Sequence, residues 1–393
     1  MSDPVVIVAA RRTPIGAFQG ALGTVPATEL GATAIQAALA DAGVAGEDVN
    51  EVLMGCVLPA GQGQAPARQA AIAAGLPKGV GAVTVNKVCG SGMRTTMFGH
   101  DMIASGSADI VVCGGMESMS LAPYLLPKAR GGYRMGHGQV LDHMMLDGLE
   151  NPADGQAMGS FAENTADRYH FSREQQDEYT RVSVTQALDA VNNGGFDSEV
   201  TPVTVRSRKG EAVVDKDEEP FRCNLDKLGE LRPAFRRDGG TVTAASSSSI
   251  SDGAAALVLM RQSEAEKRGL TPLARIAGHG VHAHEPEWFT TAPVTAIRNL
   301  LQRLDWTVND VDLFEINEAF AVVAMAAMTD LQIGRDKLNV NGGACALGHP
   351  IGATGARIIV TLLHALKQRG GKRGVASLCI GGGEATAIAI ERL

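Results

Sequence analysis

The sequence predicts an α/β protein made of two similar halves, with a long insertion in the first. Three observations carry that expectation. Continuous β-branched runs alternate with stretches whose apolar residues recur at helical spacing, the pattern of a buried, largely parallel sheet covered by helices. The same order of elements returns near the C-terminal end, as an internal duplication at low sequence identity would leave it. Between the halves, residues 121–245 are polar and irregular. The expected division is 1–120 plus about 246–270 for the N-terminal half, 121–245 for an inserted loop domain and 271–393 for the C-terminal half, which suits 393 residues at roughly 150 per domain.

In the first half, Val5-Val6-Ile7-Val8-Ala9-Ala10 is a run of strand type. From Ala27 to Ala42 the apolar positions Leu30, Ala34, Ile35, Ala38 and Leu39 have helical spacing, with Pro26 favouring the start and Gly43 the end. Val52-Leu53-Met54 and Asp109-Ile110-Val111-Val112-Cys113 read as strands, the second ending in Gly114-Gly115. Near the far end, Ala292-Pro293-Val294 opens a helix carrying Ile297, Leu300, Leu301 and Leu304. Asp310-Val311-Asp312-Leu313-Phe314 follows it, as Asp48-Val49-Asn50-Glu51-Val52 follows the earlier helix. Ser377-Leu378-Cys379-Ile380-Gly381-Gly382 echoes Val111-Val112-Cys113-Gly114-Gly115. Within the insertion, Ser172-Arg173-Glu174-Gln175 has the form of a capping box, and charges cluster at Lys216-Asp217-Glu218-Glu219. Long insertions in such scaffolds usually carry function.

Composition narrows the class of function. With 45% hydrophobic and 20% charged residues, the chain can bury a large core. A net charge of −8 and 4% aromatics speak against a nucleic-acid partner, which calls for a basic footprint and stacking surfaces. The six cysteines are dispersed, with neither a disulfide framework nor zinc spacing. His282, His284 and Glu285 form a compact ligand-like group that reads as a solvated loop beside Pro286, so no metal is expected. Met1-Ser2-Asp3-Pro4 lacks the marks of a leader, Glu391-Arg392-Leu393 is not the peroxisomal tripeptide, and no window of 18 apolar residues suggests a membrane span. A cytoplasmic location is the expectation.

Glycine is in excess, 47 of 393 residues or about 12% against a usual ~7%, and part of the surplus gathers beside two cysteines and one histidine. In Val85-Asn86-Lys87-Val88-Cys89-Gly90-Ser91-Gly92 an apolar stretch runs into Cys89, and Met93 to Ile103 can be helical. A thiol at a helix N-terminus has its pKa lowered by the dipole, although a small buried cysteine filling the core accounts equally well for this segment. His349 stands in Gly348-His349-Pro350 within a glycine-rich loop, which should leave the imidazole accessible as a base for a thiol or a donor to a carbonyl oxygen. Cys379-Ile380-Gly381-Gly382-Gly383 ends another apolar run, and N–H groups in such a turn suit an oxyanion hole. No phosphate-loop lysine follows, so nucleotide cradling is weakly supported. Asn317, immediately after an apolar stretch, can hold an oxyanion or a water.

Together these segments resemble the thiolase family. Asn86-Lys87-Val88-Cys89-Gly90-Ser91-Gly92, Asn317-Glu318-Ala319-Phe320, Gly348-His349-Pro350 and Cys379-Ile380-Gly381-Gly382-Gly383 match its motifs in its order, and the likeness extends over the whole chain. The resemblance implies duplicated α/β halves layered α-β-α-β-α with an inserted loop domain, and acyl transfer between coenzyme A thioesters. It implies Cys89 as the nucleophile that takes the acyl group and His349 as the group that promotes its thiolate and then polarises a thioester oxygen. Cys379 would be the acid/base at the acetyl methyl, and Asn317 would act through a water beside His349. The N–H groups of Cys89 and Gly381 would form a second oxyanion hole. Ser248, Ala319, Phe320, Phe235 and Met158 would line the coenzyme channel, with Arg222 toward the nucleotide. Coenzyme A and acyl-CoA would be substrate and product, with no tightly bound cofactor, and the chain would form a homo-oligomer, a dimer or a tetramer.

The expected reaction is reversible condensation of two acetyl-CoA. The alternatives are thiolysis of longer 3-ketoacyl-CoA in fatty acid degradation, or acyl-CoA binding without catalysis, which the loss of Cys89 or Cys379 would have favoured. The chain departs from the family at Ala157, where a histidine is common, at Ala245-Ser246-Ser247-Ser248, and at Cys345, usually aliphatic.

Overall fold

The computed structural model describes residues 3–208 and 210–393. Met1 and Ser2, on which the reading of the N-terminus partly rests, lie outside the described residues.

The first half runs β1 (Val5–Arg12), β2 (Gly16–Ala17), α1 (Ala27–Ala42), β3 (Glu51–Gly55), α2 (Pro66–Ala73), β4 (Gly81–Val85), α3 (Ser91–Ser105) and β5 (Ile110–Ser118). The intervening stretch carries β6 (Tyr124–Leu125), β7 (Leu141–Asp142), α4 (Met158–Tyr169), α5 (Arg173–Asn192), β8 (Val203–Ser207) and β9 (Gly210–Val214). Then come β10 (Ser251–Arg261), α6 (Gln262–Lys267), β11 (Ala274–Ala283), α7 (Ala292–Leu304), β12 (Leu313–Ile316), α8 (Ala321–Leu331), α9 (Ala344–Leu347), α10 (Ile351–Arg369), β13 (Arg373–Ile380) and β14 (Glu384–Arg392).

The main sheet has the order β12-β13-β14-β11-β1-β10-β5-β3-β4, with β2 beside β10. Its two wings are joined at β1 and β11 by only two residue pairs, Val6 with Arg275 and Ile7 with Ala274. Apart from β4 and most of β11, the strands are buried on both faces, and their alternation sorts side chains into separate cores. On β10, Ala254, Ala256, Val258 and Met260 pack with α1 and α2, whereas Ala255, Leu257 and Leu259 point at α3 and α10. On β14, Ala385, Ala387 and Ala389 face α7 and α8, and Ile388 and Ile390 face α10. The result is five layers: α1 and α2, one wing of the sheet, α3 and α10, the other wing, then α7 and α8.

Two expectations need correction. The sheet is mixed: β3 runs parallel to β4 and β5, and β12 to β13, but β1, β2, β5, β10, β11, β13 and β14 are joined by antiparallel pairings. Burial on both faces makes an antiparallel strand read like a parallel one. The strand at Asp109–Cys113 also does not stop at Gly114-Gly115 but continues to Ser118. A Cβ on Gly115 would overlap the Gly352 carbonyl oxygen, and one on Gly114 the Ala255 carbonyl oxygen, so these glycines admit α10 and β10 rather than ending the strand.

The middle helices meet backbone to backbone. α10 is buried along most of its length, and its first turns read Gly352-Ala353-Thr354-Gly355-Ala356. A Cβ on Gly92 of α3 would stand 2.8 Å from the Ala356 nitrogen, and one on Gly355 would overlap the Met93 nitrogen. Local signals elsewhere hold: Pro26 and Gly43 flank α1, Gly43 in the left-handed conformation with φ 61°, and Ser172 and Gln175 form the capping box of α5. The charges near residue 217 are not a solvated run. Asp217 is buried and takes two hydrogen bonds from Arg12 of β1 at 2.7 and 2.8 Å, while Glu199 takes a third at 2.5 Å. This buried pairing ties the intervening segment to the sheet.

Candidate active site

Both middle helices begin at the same place. Cys89 precedes α3 and His349 precedes α10, each at the end of a turn. Ahead of Cys89, Val88 has φ 46°, a conformation that a β-branched residue adopts only under strain of about 1–3 kcal/mol. Ser91 clamps that turn, its hydroxyl accepting from Lys87 N at 2.9 Å and donating to the Val88 carbonyl at 2.6 Å. Gly90 leaves room for the Ile380 side chain, whose terminal methyl a Cβ there would have to displace.

A cavity of about 280 Å³ opens over the two helix starts, lined by Cys89, His349 and Gly381. Met158, Phe235, Ser248, Ala319 and Phe320 also line it. Phe235 meets Phe320 edge to face at 5.8 Å, and Ser248 N donates to the Ala319 carbonyl at 3.0 Å. No ionisable side chain other than Cys89 and His349 faces the cavity among the described residues. It suits an apolar thioester with a few hydrogen-bonding groups.

Cys379 lies behind this surface, fully buried near the end of β13 and close enough to Cys89 for a Cys89 thiolate to oppose its ionisation. Asn317 is likewise buried, with Nδ2 3.5 Å from His349 Nε2. Arg222 is not part of the cavity; its side chain is half exposed and pairs with Glu218 at 3.4 Å. Cys345 does not line it either: its N–H donates to Glu318 at 3.1 Å, and its sulfur sits 3.6 Å from the Glu318 carbonyl oxygen. Ala157, the departure at a position where a histidine is common in the family, is on the wall.

The electrostatics differ from the sequence expectation at two points. Burial pushes the Cys89 thiol up to about 11, outweighing the Gly381 and Cys89 N–H groups that favour the thiolate, so the resting group is a thiol. His349 is only 5% exposed although it lines the cavity, and burial, helped by the Arg357 guanidinium, lowers it to about 3. The imidazole is therefore neutral at rest. Its Nδ1 is 2.6 Å from Thr354 Oγ1, and that hydroxyl spends its hydrogen on the Pro350 carbonyl at 2.9 Å. Nδ1 must then carry the proton, and Nε2 presents its lone pair on the side of Asn317.

Sequence reasoning passed over three supporting groups. Thr354 is one. Glu117 is the second, a buried carboxylate that receives N–H groups from Val57, Leu58 and Gly352 at 2.9, 3.2 and 2.8 Å and so locks the start of α10 to β5. The third is Glu318, inside the Asn-Glu-Ala-Phe motif. It accepts from Tyr179, Ser183 and Asn339, each at 2.8 Å, and holds the loop that leads to His349. The cavity wall also includes Met119, Met145, Leu149 and Phe289, apolar residues with no local pattern to announce them.

Residues 5–263 match the thiolase N-terminal domain family and residues 270–392 the thiolase C-terminal domain family. The chain is 50% identical over 390 residues to an acetyl-CoA acetyltransferase of Chromobacterium violaceum, with 99% of each chain covered. It is 49% identical over 393 residues to a cytosolic acetyl-CoA acetyltransferase of Mus musculus, covering 100% of this chain and 99% of that one. The crystal structure of the acetyl-CoA acetyltransferase of Bacillus anthracis superposes with a TM-score of 0.97 at 44% identity, covering 100% of this chain and 99% of the other.

Proposed function

Because the chain belongs to the thiolase family, we propose that it is an acetyl-CoA C-acetyltransferase in which Cys89 carries the acyl group. The observation that carries this reading is the convergence of Cys89, His349 and Gly381 on one apolar cavity, with Cys379 directly behind Cys89.

In the condensing direction, His349 Nε2 takes the Cys89 proton as the sulfur attacks the acetyl-CoA carbonyl. The N–H groups of Cys89 and Gly381 receive the oxyanion. The departing coenzyme sulfur takes its proton from Cys379, which becomes the thiolate. A second acetyl-CoA loses an α-proton to Cys379, and its enolate oxygen forms against His349 Nε2–H and a water held by Asn317. The enolate carbon attacks the acyl-Cys89 carbonyl, acetoacetyl-CoA leaves, and Cys89 recovers its proton from His349. A charged imidazole is disfavoured in this buried position, so it is tolerated only opposite developing negative charge. That restriction concentrates its stabilisation on the transition state.

Met158, Phe235, Ser248, Ala319 and Phe320 would hold the pantetheine arm, and Arg222 would meet the nucleotide only at the outer rim. Coenzyme A is substrate and product, and no helix among the described residues is long and apolar enough to cross a membrane. We place the reaction in the cytoplasm, the compartment in the mouse relative's name. A homo-oligomer, a dimer or a tetramer, is supported by Val83 on edge strand β4 and by Met135, both exposed apolar residues.

Thiolysis of 3-ketoacyl-CoA substrates of increasing length tests the reading. A steep fall in kcat/KM beyond four carbons is expected. A flat profile would replace it with the longer-chain thiolase, and retention of full activity in Cys89→Ala would remove the nucleophile assignment.

A further inference from the structure

The compact group His282, His284 and Glu285 is not where the fold gathers ligands. His284 Nε2 is occupied by the Trp288 carbonyl oxygen at 2.8 Å. The gathering takes place instead between α3 and β11, away from the cavity lining. His100 Nδ1, Asp101 Oδ1 and His279 Nε2 form a nearly equilateral triangle, with sides of 3.1, 3.0 and 3.1 Å. The two imidazoles stand edge to face, with centroids 4.9 Å apart.

That triangle is poorly served by hydrogen bonds. Each neutral imidazole brings one hydrogen, and Asp101 brings none. If both nitrogens in the triangle carry a hydrogen toward Asp101, the two N–H groups crowd onto one oxygen with their nitrogens only 3.1 Å apart. If one does not, the carboxylate meets a lone pair at much the same distance. A cation satisfies three lone pairs at once. Bonds of about 2.1 Å at right angles place neighbouring ligand atoms about 3.0 Å apart, whereas tetrahedral angles at the same bond length require about 3.4 Å. The observed sides fit the octahedral case, with three ligands on one face.

We propose that His100, Asp101 and His279 bind a divalent transition-metal ion in octahedral coordination, with water completing the shell on the solvent side. Asp101 is exposed and both imidazoles are partly so, which gives the ion a path in. Two cations face the group: Arg94, whose guanidinium is stacked on Phe98 at 4.4 Å, and Arg303, which donates to the His279 carbonyl oxygen. They oppose an incoming ion, so the Asp101 charge is needed for affinity. The ion would join β11, in the C-terminal half, to α3, the helix that starts beside Cys89. Its role is to hold parts of the fold together, since no group in the triangle lines the substrate cavity.

The full-length protein, stripped with a chelator and alkylated so that its thiols cannot bind metal, is titrated with Ni2+ by calorimetry. One ion per chain is expected, with a rise in the thermal unfolding midpoint. Asp101→Asn and His279→Gln should each weaken binding by about tenfold or more and abolish the rise. Asp101 is at the surface, and unalkylated Asp101→Asn should keep metal-free thiolysis at the wild-type rate, which establishes that the variant is folded. The Co2+ form should show the weak visible absorption of an octahedral ion. Failure of the wild type to bind at millimolar Ni2+, or equal binding by wild type and both variants, overturns the proposal.

Discussion

Thr354 Oγ1 lies 2.6 Å from His349 Nδ1 while its own hydrogen points to the Pro350 carbonyl. One hydroxyl therefore decides which imidazole nitrogen is protonated. Thr354→Val keeps the shape and removes the acceptor. The buried Nδ1–H loses its partner, a loss of about 1–3 kcal/mol, and the tautomer is no longer selected. Steady-state thiolysis should show kcat reduced by roughly ten- to a hundredfold with KM little changed, and Thr354→Ser should restore most of it. An unchanged kcat in the valine variant would mean that the hydroxyl has no hold on the imidazole.

Cys379 is buried behind Cys89, outside the cavity lining, so the two thiols should separate by function. Cys379→Ser is expected still to become acylated from acetyl-CoA, because the coenzyme thiolate can depart and take its proton from water, but to lose exchange of the acetyl α-protons with deuterated water. Cys89→Ala should fail at acylation itself. Mass spectrometry of the protein and NMR of the thioester read these two steps independently. Normal α-proton exchange in Cys379→Ser would move the base elsewhere.

Gly115→Ala tests the contact of β5 with α10. The added methyl would overlap the Gly352 carbonyl oxygen, which belongs to a helix backbone that cannot turn aside. Overpacking of this kind costs about 1–3 kcal/mol, and contact with unyielding backbone puts this site toward the upper end. Denaturant unfolding should show a lower midpoint, and the remaining folded protein should have lost activity because Cys89 and His349 are set by the same helices. Wild-type stability would contradict the close packing.

Glu117 makes stability depend on pH. Burial raises its carboxyl from 4.5 to about 7, against the pull of three backbone N–H groups. Below 4.5 both folded and unfolded chains hold the proton. Between 4.5 and about 7 the unfolded chain releases it and the folded chain keeps it, so this group's contribution falls as pH rises, by up to about 3 kcal/mol. Glu117→Gln should be less stable at pH 5, because an amide cannot serve all three N–H groups, and the difference from wild type should narrow by pH 8. Parallel stability curves for the two proteins would show that Glu117 does not titrate in this window.

Much of the candidate site's position was legible because it is local. The turns at Cys89, His349 and Cys379 are marked by small residues that the close approach of strands and helices demands, and the capping box of α5 and the ends of α1 depend on neighbours in sequence. What depends on distant partners was not legible. Glycines around His349 suggested exposure, but they serve the packing of α10, which buries the ring. The helix position of Cys89 suggested a depressed pKa, but burial outweighs the local N–H groups. Glu117 collects donors about 60 and 235 positions away, and His279 meets His100 across 179 positions, separations that no periodicity reveals. Strand direction failed for a related reason: β10 enters the sheet after the long insertion and pairs antiparallel with both β1 and β5, which its apolar pattern cannot encode.

The contact of α3 with α10 acts as a ruler. Because Gly92 and Gly355 bring the two backbones together without side chains between them, the offset from the sulfur to the imidazole is set by main-chain thickness. Side chains on the cavity wall, such as Met145, Leu149 and Phe289, stand outside that gauge. Substitutions can therefore reshape the cavity wall one residue at a time while Cys89 and His349 keep their spacing.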